Sequence, residues 1–269
     1  MTIAPDLKAR HRTMWALGDY PAVADQLIPE LGQVLVEACD VAPGQRVLDI
    51  AAGSGNAAVP AALAGADVVA SDLTPELLEA GRRQAEADGV QLSWQEADAE
   101  ALPFGDGEFD TAMSCVGVMF APHHQPAADE LIRVVRPGGT VGLLSWTPEG
   151  FIGQMFATMK PFAPTPAPGV QPPPLWGNED HVRRLLGDGV TAIEARRQTV
   201  VIDQFAKPSE FRDFFKACYG PTIAIYAGLA DQPERAAELD RALDDLARAH
   251  DRGDGSMEWE YLLLTARRA

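Results

Sequence analysis

Between residues 46 and 146 the chain alternates short apolar runs with segments of helical periodicity. The apolar runs, each of strand length, are residues 46–51, 67–71, 92–96, 109–115 and 140–146. Helical patterns fill residues 56–64, 75–87 and 126–135. The second of these begins at Thr74 and Pro75, a favourable helix start because Pro at the first helical position has no amide to leave unpaired. This alternation predicts a parallel sheet with helices on both faces, an α/β doubly wound fold.

The flanking segments complete this prediction. Residues 5–39 have helical character, interrupted at residues 18–21. Further helices are predicted at residues 178–186, 207–219 and 234–250, and further strands at residues 191–203 and 256–269. Residues 160–177 contain seven prolines and little periodicity, which favours a loop or a partly rigid lid. No linker clearly separates two domains, so we expect the chain to form a single domain.

The charge balance narrows the range of partners. The chain has 269 residues, of which 46% are hydrophobic, and a formal net charge of -17. An acidic surface repels phosphate groups, so we expect no nucleic-acid or membrane partner. No run approaches the ~20 apolar residues of a membrane helix, and no signal-peptide pattern opens the chain. The three cysteines have neither disulfide nor metal-ligand spacing. These features predict a cytoplasmic protein.

The most informative segment is the turn that follows the first predicted strand. Residues 47–58 read VLDIAAGSGNAA, in which a strand ends, a glycine turn follows and a helix begins. Glycine allows a ligand to approach the backbone, and the amides at a helix start point at that ligand. Residues 53–58 also match the dinucleotide fingerprint G-x-G-x-x-G/A, which alone is a weak signal.

A carboxylate at the end of the second predicted strand adds to this signal. Asp72 stands where an acid accepts hydrogen bonds from both ribose hydroxyls of an adenosine that lies across the turn. An acid at a strand end is also a common neighbour of a helix cap, so Asp72 alone favours neither interpretation. Together, the glycine turn and Asp72 predict an adenosine-containing cofactor without deciding which one.

Four further features distinguish the candidate cofactors. Asp49 lies just before the turn, where it would repel a pyrophosphate and attract the amino and sulfonium groups of S-adenosylmethionine. Asp98 follows the third predicted strand, in a position to accept a hydrogen bond from an adenine amino group. Residues 102–110 read LPFGDGEFD into the fourth strand, and residues 136–139 read RPGG before the fifth. These features favour S-adenosylmethionine over a nicotinamide dinucleotide.

As an ordered set, these motifs resemble the class I S-adenosylmethionine-dependent methyltransferases, in the branch similar to the quinone-biosynthesis methyltransferases. The resemblance covers about residues 40–150. It implies a seven-stranded, mostly parallel sheet whose last strand is antiparallel, with N-terminal helices and a C-terminal cap insertion. The single domain would then comprise an N-terminal helical lid (1–40), a cofactor-binding core (41–150) and a substrate cap with closing strands (151–269). One departure is Ala51, which stands where the family usually has its first glycine and leaves less room for the methionine part.

The resemblance also implies a set of cofactor-binding residues. Those at the first turn hold the methionine part: Asp49, Ala51, Gly53, Ser54 and Gly55. Those after the second and third strands hold the ribose and adenine: Asp72, Leu73, Thr74, Asp98, Ala99 and Glu100. Cys115 faces the methionine through its backbone carbonyl, although its side chain fits a buried core thiol equally well. Trp15 and Tyr20 are candidates to close over the cofactor, and packing of their helix onto the domain explains them equally well.

Catalytic candidates are sought on the loops at the carboxyl ends of the strands. Methyl transfer from a sulfonium is an in-line displacement from an activated donor, so the protein mainly positions the acceptor and excludes water. His123 and His124 follow the fourth predicted strand, where they are either candidate bases or exposed polar rings. The remaining histidines are expected at surface or capping positions: His11, His181 and His250. No His, Asp and Glu cluster has metal-ligand spacing, so we predict no metal.

Large apolar side chains follow the fourth and fifth predicted strands: Met119, Phe120, Trp146, Phe151, Met155 and Phe156. Most such residues belong to the core, but those near the loops favour a flat or lipophilic acceptor, such as an aromatic or polyketide-like molecule. The sequence therefore predicts S-adenosylmethionine-dependent methyl transfer to a small aromatic or lipophilic acceptor, by a monomer or homodimer. The alternatives are a nicotinamide-dependent oxidoreductase and a non-catalytic S-adenosylmethionine-binding module. The methylated atom, oxygen, nitrogen or carbon, stays open.

Overall fold

A seven-stranded sheet forms the centre of the protein, in a computed structural model that describes the backbone of residues 5–269 and the side chains from Leu7 onward. In chain order the strands are β1 (Arg46–Ile50), β2 (Asp67–Asp72), β3 (Ser93–Glu96), β4 (Phe109–Cys115), β5 (Val135–Trp146), β6 (Val190–Ile202) and β7 (Met257–Arg268). Their order across the sheet is β3-β2-β1-β4-β5-β7-β6. Strand β7 pairs antiparallel with β5 and β6, and the other pairs are parallel. The predicted fold class is confirmed.

Helices flank this sheet along the described part of the chain. They are α1 (Pro5–Trp15), α2 (Tyr20–Leu27), α3 (Leu31–Ala38), α4 (Ala58–Leu63), α5 (Pro75–Ala87), α6 (His124–Val134), α7 (Phe151–Met159), α8 (Glu179–Leu186), α9 (Pro208–Cys218), α10 (Gly220–Gly228) and α11 (Pro233–His250). The sequence pattern does not predict α7 or α10, because both are apolar on most sides and lack the polar stripe of a surface helix. Over residues 5–269 no helix is long and apolar enough to cross a membrane.

The central strands are buried because both of their faces are covered. In β1, Val47, Leu48 and Ile50 are at most 1% exposed, as expected for near-continuous apolar runs in a parallel sheet. Strand β3, at one edge, is short and mostly exposed. Strand β6, at the other edge, alternates between partly buried and exposed residues along much of its length.

Two segments differ in detail from the sequence prediction. Strand β5 begins at Val135, but its pairing with β4 moves from Phe109–Val135 directly to Thr111–Thr140. Residues 136–139, predicted as a turn before the strand, therefore form a break in its pairing, with Gly138 in the left-handed region at φ +76°. The proline-rich segment 160–177 is a loop that contains two short 3₁₀ turns, Lys160–Phe162 and Pro173–Gly177. Because Trp176 in the second turn is fully buried, this end of the loop is anchored in the core.

Helix α1 lies across the edge of the sheet where the parallel strands end. Lys8 forms an ion pair with Asp98 at 2.7 Å, beyond the end of β3, and Arg12 pairs with Glu96. The last turn of α1 packs on α10. There, a Cβ added to Gly220 would lie 2.3 Å from the carbonyl oxygen of Met14. These contacts hold α1 over the loops that follow the strands. The first four residues of the predicted lid, 1–4, lie outside the described residues.

Candidate active site

A cleft with an open volume of about 630 Å³ lies at the carboxyl ends of β1 to β4, with α1 as one wall. We call it the main cleft. It is lined by Lys8, His11, Trp15, Tyr20, Ala51, Gly53, Asp72, Leu73, Thr74, Leu77, Ala97, Asp98, Ala99, Val116, Gly117, Phe120, Ala121 and Pro122. Parallel strands bring their carboxyl ends to one edge of a sheet, and for this reason turns distant in the sequence meet here.

The main cleft brings together most of the residues that the sequence analysis selected for a cofactor: Trp15, Tyr20, Ala51, Gly53, Asp72, Leu73, Thr74, Asp98 and Ala99. The remaining ones do not line it: Asp49, Ser54, Gly55, Glu100 and Cys115. Gly55 serves packing, since a Cβ there would lie 2.8 Å from the Trp94 ring. The Cys115 side chain is partly buried and packs against the core, and burial raises the pKa of its thiol.

Asp72 is the buried carboxylate of the main cleft. Its Oδ2 accepts from the Gly53 N–H at 2.8 Å, and its Oδ1 accepts from the Thr74 N–H at 2.8 Å. Burial raises the pKa of Asp72, although these backbone donors offset part of the rise. An ionised carboxylate offers about four lone-pair sites. Asp72 therefore retains capacity to accept hydrogen bonds from the hydroxyls of a ligand.

Two residues that line the main cleft hold the left-handed backbone conformation without being glycine. Ala51 has φ +55° and Val116 has φ +58°. This region is unfavourable for residues with a Cβ, and most of all for a β-branched one such as Val116. Strained backbone of this kind concentrates at functional sites, where the surrounding fold enforces it. The positive φ of Ala51 agrees with the family's glycine at this position, because glycine adopts this conformation without the strain that alanine has.

Gly117 allows the turns after β1 and β4 to touch. A Cβ at Gly117 would lie 2.0 Å from the carbonyl oxygen of Ala51, far inside contact distance. Gly53 has φ +57°, and a Cβ there would meet the ring of Tyr20 at 3.3 Å. The floor of the main cleft therefore depends on the absence of side chains at these two positions.

Asp49 is the second buried acid at this edge of the sheet. It is 1% exposed, and neither carboxylate oxygen makes a hydrogen bond of normal geometry to a described residue. Burial raises its pKa to about 8, with the Ala58 backbone N–H lowering it and the Asp72 charge adding to the rise. A buried unpaired carboxyl is unfavourable for folding, so its presence behind the turn is a sign of function.

Helix α1 contributes a wall of the main cleft, and one residue of this wall differs from its predicted position. His11, expected at the surface, lines the main cleft. Its pKa is lowered by burial first and then by the charge of Lys8, so its ring is neutral near neutral pH. Lys8, His11 and Trp15 are spaced by three and four residues, which places them on one face of a helix. That spacing is the sequence signal that could have identified this wall.

The two histidines predicted as bases have different surroundings. His123 follows Pro122 at the cleft wall; its N–H donates to Glu100 Oε1 at 2.8 Å, and its Nδ1 lies 3.2 Å from Glu100 Oε2. The buried Glu100 also pairs with Lys8 at 3.0 Å, so it ties the loop after β4 to α1.

His124, by contrast, is fully buried away from the main cleft. Its Nδ1 lies 2.9 Å from His181 Nε2, and its ring packs on Trp176. Burial lowers its pKa to about 3, with the neighbouring His181 and His123 as further causes. A ring held this way is packed in the interior. Its partner His181 lies in the first turn of α8, where its N–H donates to Asn178 Oδ1 at 2.9 Å, in keeping with the predicted surface or capping position.

A second space opens behind the main cleft, and we call it the aromatic chamber. Its open volume is about 350 Å³. It is lined by Tyr20, Val23, Ile28, Val116, Phe120, Trp146, Ile152, Met155, Phe215, Tyr219 and Trp259. Three of these residues, Tyr20, Val116 and Phe120, also line the main cleft, so the two spaces share a wall.

Several long-range aromatic contacts build this wall. Trp15 packs edge-on against Phe120 at 4.7 Å, Tyr20 at 5.6 Å and Tyr219 at 5.8 Å between ring centroids. Of the predicted pocket residues, Phe120, Trp146 and Met155 line the aromatic chamber, whereas Met119, Phe151 and Phe156 do not. Phe151 is fully buried and stacks on Trp259 at 5.3 Å, as a core residue does.

Comparisons with known proteins agree with this geometry. The family profile described as a methyltransferase domain matches residues 47–139. A demethylmenaquinone methyltransferase of Paenarthrobacter aurescens is 31% identical over 199 residues, covering 67% of this chain and 77% of the relative. The chain belongs to the class I S-adenosylmethionine-dependent methyltransferases, on the branch of the quinone-biosynthesis enzymes.

Relatives of this methyltransferase extend over nearly its whole length. An uncharacterized protein of Mycobacterium tuberculosis is 54% identical over 260 residues, covering 97% of this chain and 94% of the relative. Among solved structures, the YcgJ protein of Bacillus subtilis superposes with a TM-score of 0.60 at 18% identity, covering 89% of this chain and 99% of that one. At such identities the structural likeness shows the fold. The cofactor of the methyltransferase is S-adenosylmethionine, and the nicotinamide alternative is withdrawn.

Proposed function

We propose that this methyltransferase transfers the methyl group of S-adenosylmethionine to a small aromatic or lipophilic molecule. The observation that carries the proposal is the wall of Tyr20, Val116 and Phe120 shared by the main cleft and the aromatic chamber. A cofactor in the main cleft and an apolar acceptor in the chamber would lie on the two sides of these side chains. In-line displacement requires the reacting atoms to come into contact, so methyl transfer requires an opening between these side chains.

The residues of the main cleft fit the cofactor. We assign the ribose hydroxyls to Asp72, which keeps free lone pairs, and the adenine to the segment at Asp98 and Ala99. The methionine part then lies over the turn at Gly53, close to the unpartnered Asp49 behind that turn. Asp49, which is protonated near pH 7 in the ligand-free protein, would ionise when the cationic amino and sulfonium groups bind, because a nearby positive charge lowers the pKa of a carboxyl group.

The rest of the chain encloses the reaction. Bound S-adenosylmethionine supplies a methyl group that its sulfonium already activates, so the protein contributes position and the exclusion of water. Helix α1 covers the main cleft through the Lys8–Asp98 ion pair and the packing of Trp15 on Phe120. We therefore assign residues 1–40 as the lid, 41–150 as the cofactor core and 151–269 as the substrate cap.

A base is required only when the acceptor must lose a proton early in the reaction. Of the two histidines predicted for this role we retain His123, which follows the cleft wall and is oriented by Glu100. His124 is not retained because its ring is buried against Trp176 and His181. His11, neutral and on the cleft wall, joins His123 as a candidate.

The apolar lining of the aromatic chamber supports a ring-shaped or lipophilic acceptor. The chamber contains two indoles, two phenols and two phenyl rings among its lining residues. The related enzyme of Paenarthrobacter aurescens is named a demethylmenaquinone methyltransferase, and an acceptor that carries a ring would suit this lining.

The cofactor assignment is tested by calorimetry with S-adenosylmethionine and S-adenosylhomocysteine. We expect Asp72→Ala to weaken both at least tenfold, because the ribose hydroxyls lose a charged acceptor. The matched control is Asp67→Ala at the exposed start of the same strand, which should bind normally. Unchanged affinity in a folded Asp72→Ala protein would refute the assignment.

The acceptor class is tested separately, by transfer of a labelled methyl group to a panel of lipophilic phenols, amines and quinol precursors. We expect transfer to members of this panel and none to polar, ring-free amines or alcohols of similar size. Transfer to the polar compounds alone would contradict the assignment of the aromatic chamber to the acceptor.

A further inference from the structure

We propose that the aromatic chamber selects uncharged acceptors and recognises an oxygen atom of the acceptor through Trp259 and Tyr219. This inference rests on the proposed function and deepens it, since it names the polar group that an otherwise apolar acceptor must carry. It follows from three properties of the chamber: its lack of charge, an unpaired indole donor and two neutral phenols.

The lining of the chamber contains no side chain that is charged at neutral pH. Its lining acids and bases are limited to the phenols of Tyr20 and Tyr219, and burial raises the pKa of each. A charged ligand that enters such a space loses its hydration and gains no counter-ion, which is strongly unfavourable. An ammonium or carboxylate acceptor is therefore excluded by the chemistry of the walls.

The clearest polar feature of the chamber is the indole of Trp259. Its side chain is 1% exposed, and its Nε1–H has no hydrogen-bond partner among the described residues. The ring is held in place because it stacks on Phe151 at 5.3 Å and meets Trp146 edge-on at 5.9 Å. An indole N–H can only donate, so the group that satisfies it must be an acceptor such as a carbonyl or hydroxyl oxygen.

Tyr219 and Tyr20 extend this donor set toward the shared wall. Tyr219 is 5% exposed. Burial raises the pKa of its phenol, and the rings of Tyr219 and Tyr20 both pack edge-on against Trp15, at 5.8 Å and 5.6 Å between centroids. Both hydroxyls keep their protons at physiological pH and can donate to a ligand. The neutral donors thus extend from Tyr20, at the wall shared with the main cleft, to Trp259, which lines the aromatic chamber but not the main cleft.

This arrangement sets the position of the recognised oxygen. Trp259 and Tyr219 do not line the main cleft, so the oxygen that they bind is separate from the atom that receives the methyl group at the shared wall. The aromatic chamber is smaller than the main cleft. The acceptor is therefore a compact neutral molecule with an oxygen away from its reacting atom.

The experiment measures binding of four naphthalene probes by calorimetry, with the protein saturated with S-adenosylhomocysteine at pH 7. The probes are 2-naphthol, 2-methylnaphthalene, 2-naphthoate and 2-naphthylmethylammonium, which share a ring system and differ in oxygen content and charge. We expect 2-naphthol to bind at least tenfold more tightly than 2-methylnaphthalene. The two charged probes should show no measurable binding, and comparable affinity for either would overturn the proposal.

A matched pair of variants tests the role of Trp259. Trp259→Phe should weaken 2-naphthol about tenfold and leave 2-methylnaphthalene unchanged. The control is Trp176→Phe, because Trp176 is also fully buried with an unpaired Nε1–H but does not line the chamber. Equal effects of both variants on 2-naphthol would contradict the proposal. Tyr219→Phe, which removes one oxygen atom, gives the same test if Trp259→Phe does not fold.

The outcome for S-adenosylhomocysteine separates this inference from the proposed function. We expect wild type, Trp259→Phe, Tyr219→Phe and Trp176→Phe to bind S-adenosylhomocysteine alike. If the wild-type protein does not bind S-adenosylhomocysteine, the cofactor assignment is refuted. Retained binding together with equal affinity for all four probes would refute only the selection of an uncharged, oxygen-bearing acceptor.

Discussion

Replacement of Asp49 by asparagine should stabilise the ligand-free protein, by an amount that grows with pH. Asp49 is buried without a hydrogen-bond partner of normal geometry, and its pKa is raised from 3.8 to about 8. Between these two values the folded protein keeps a proton on Asp49 that the unfolded chain releases. Ionisation of the unfolded chain therefore favours unfolding increasingly as the pH rises through this range. Asparagine has no proton to lose, so the variant lacks this contribution.

The magnitude follows from the two pKa values. Each unit of difference corresponds to about 1.4 kcal/mol. At pH 7 the solution is 3.2 units above the ordinary value of 3.8 and still below the raised value of about 8, so the contribution reaches about 4 kcal/mol. The free energy of unfolding of Asp49→Asn, relative to wild type, should thus rise by about 1.4 kcal/mol for each pH unit between about pH 5 and pH 8.

Urea denaturation of both proteins at pH 5, 6, 7 and 8, without cofactor, measures this difference. The contributions of titratable groups that the two proteins share cancel in this difference. Asp67→Asn, at the exposed start of β2, serves as a control and should change the free energy of unfolding only slightly. The same Asp49→Asn variant should bind S-adenosylmethionine at least tenfold more weakly. A difference in unfolding free energy that stays constant from pH 5 to pH 8 would refute the reasoning.

Three further predictions concern single residues. Gly117→Ala should destabilise the protein by about 3 kcal/mol in thermal denaturation and abolish S-adenosylhomocysteine binding, because its Cβ would lie 2.0 Å from the Ala51 carbonyl oxygen. A stable, binding-competent variant would contradict this. Ala51→Gly should raise the melting temperature by roughly 2 °C, since relief of the left-handed strain at φ +55° exceeds the added chain entropy; a lower melting temperature would oppose it. His124 stays neutral when folded because its pKa is lowered from 6.5 to about 3, so stability falls as the pH drops below 6.5. His124→Gln should flatten that fall in urea denaturation, by about 1 kcal/mol per pH unit between pH 6 and pH 4, and an unchanged slope would count against it.

Much of the site could be predicted because its signals are local. A glycine turn between a strand and a helix, with Asp72 at the end of the next strand, appears in the sequence as a short ordered pattern. The structure brings Gly53, Asp72 and Asp98 into one cleft because parallel strands end at one edge of the sheet. Two lining residues of the main cleft were not predicted, His11 and Val116. His11 belongs to α1, which lies outside the segment that carries the motifs, and Val116 is not part of any periodic pattern.

The sequence by itself determined most of the elements, the parallel, doubly wound class of the sheet and the identity of the methyl donor. Hydrophobic periods of two and 3.6 residues are local properties, and the glycine turn with its acids combines residue type with spacing. For these features a reading along the chain is sufficient.

Only the tertiary structure decided which side chains form the two spaces at this edge of the sheet. The aromatic chamber combines α2, α7, α9, β5 and β7, segments far apart in the chain, and no spacing rule relates Tyr20 to Trp259. The burial of His124 and the lack of a partner for the Trp259 indole likewise depend on long-range packing. The turn after β1 is a local pattern of glycines and acids that can be read along the chain, whereas the chamber proposed for the acceptor is formed by side chains that meet only in the folded protein.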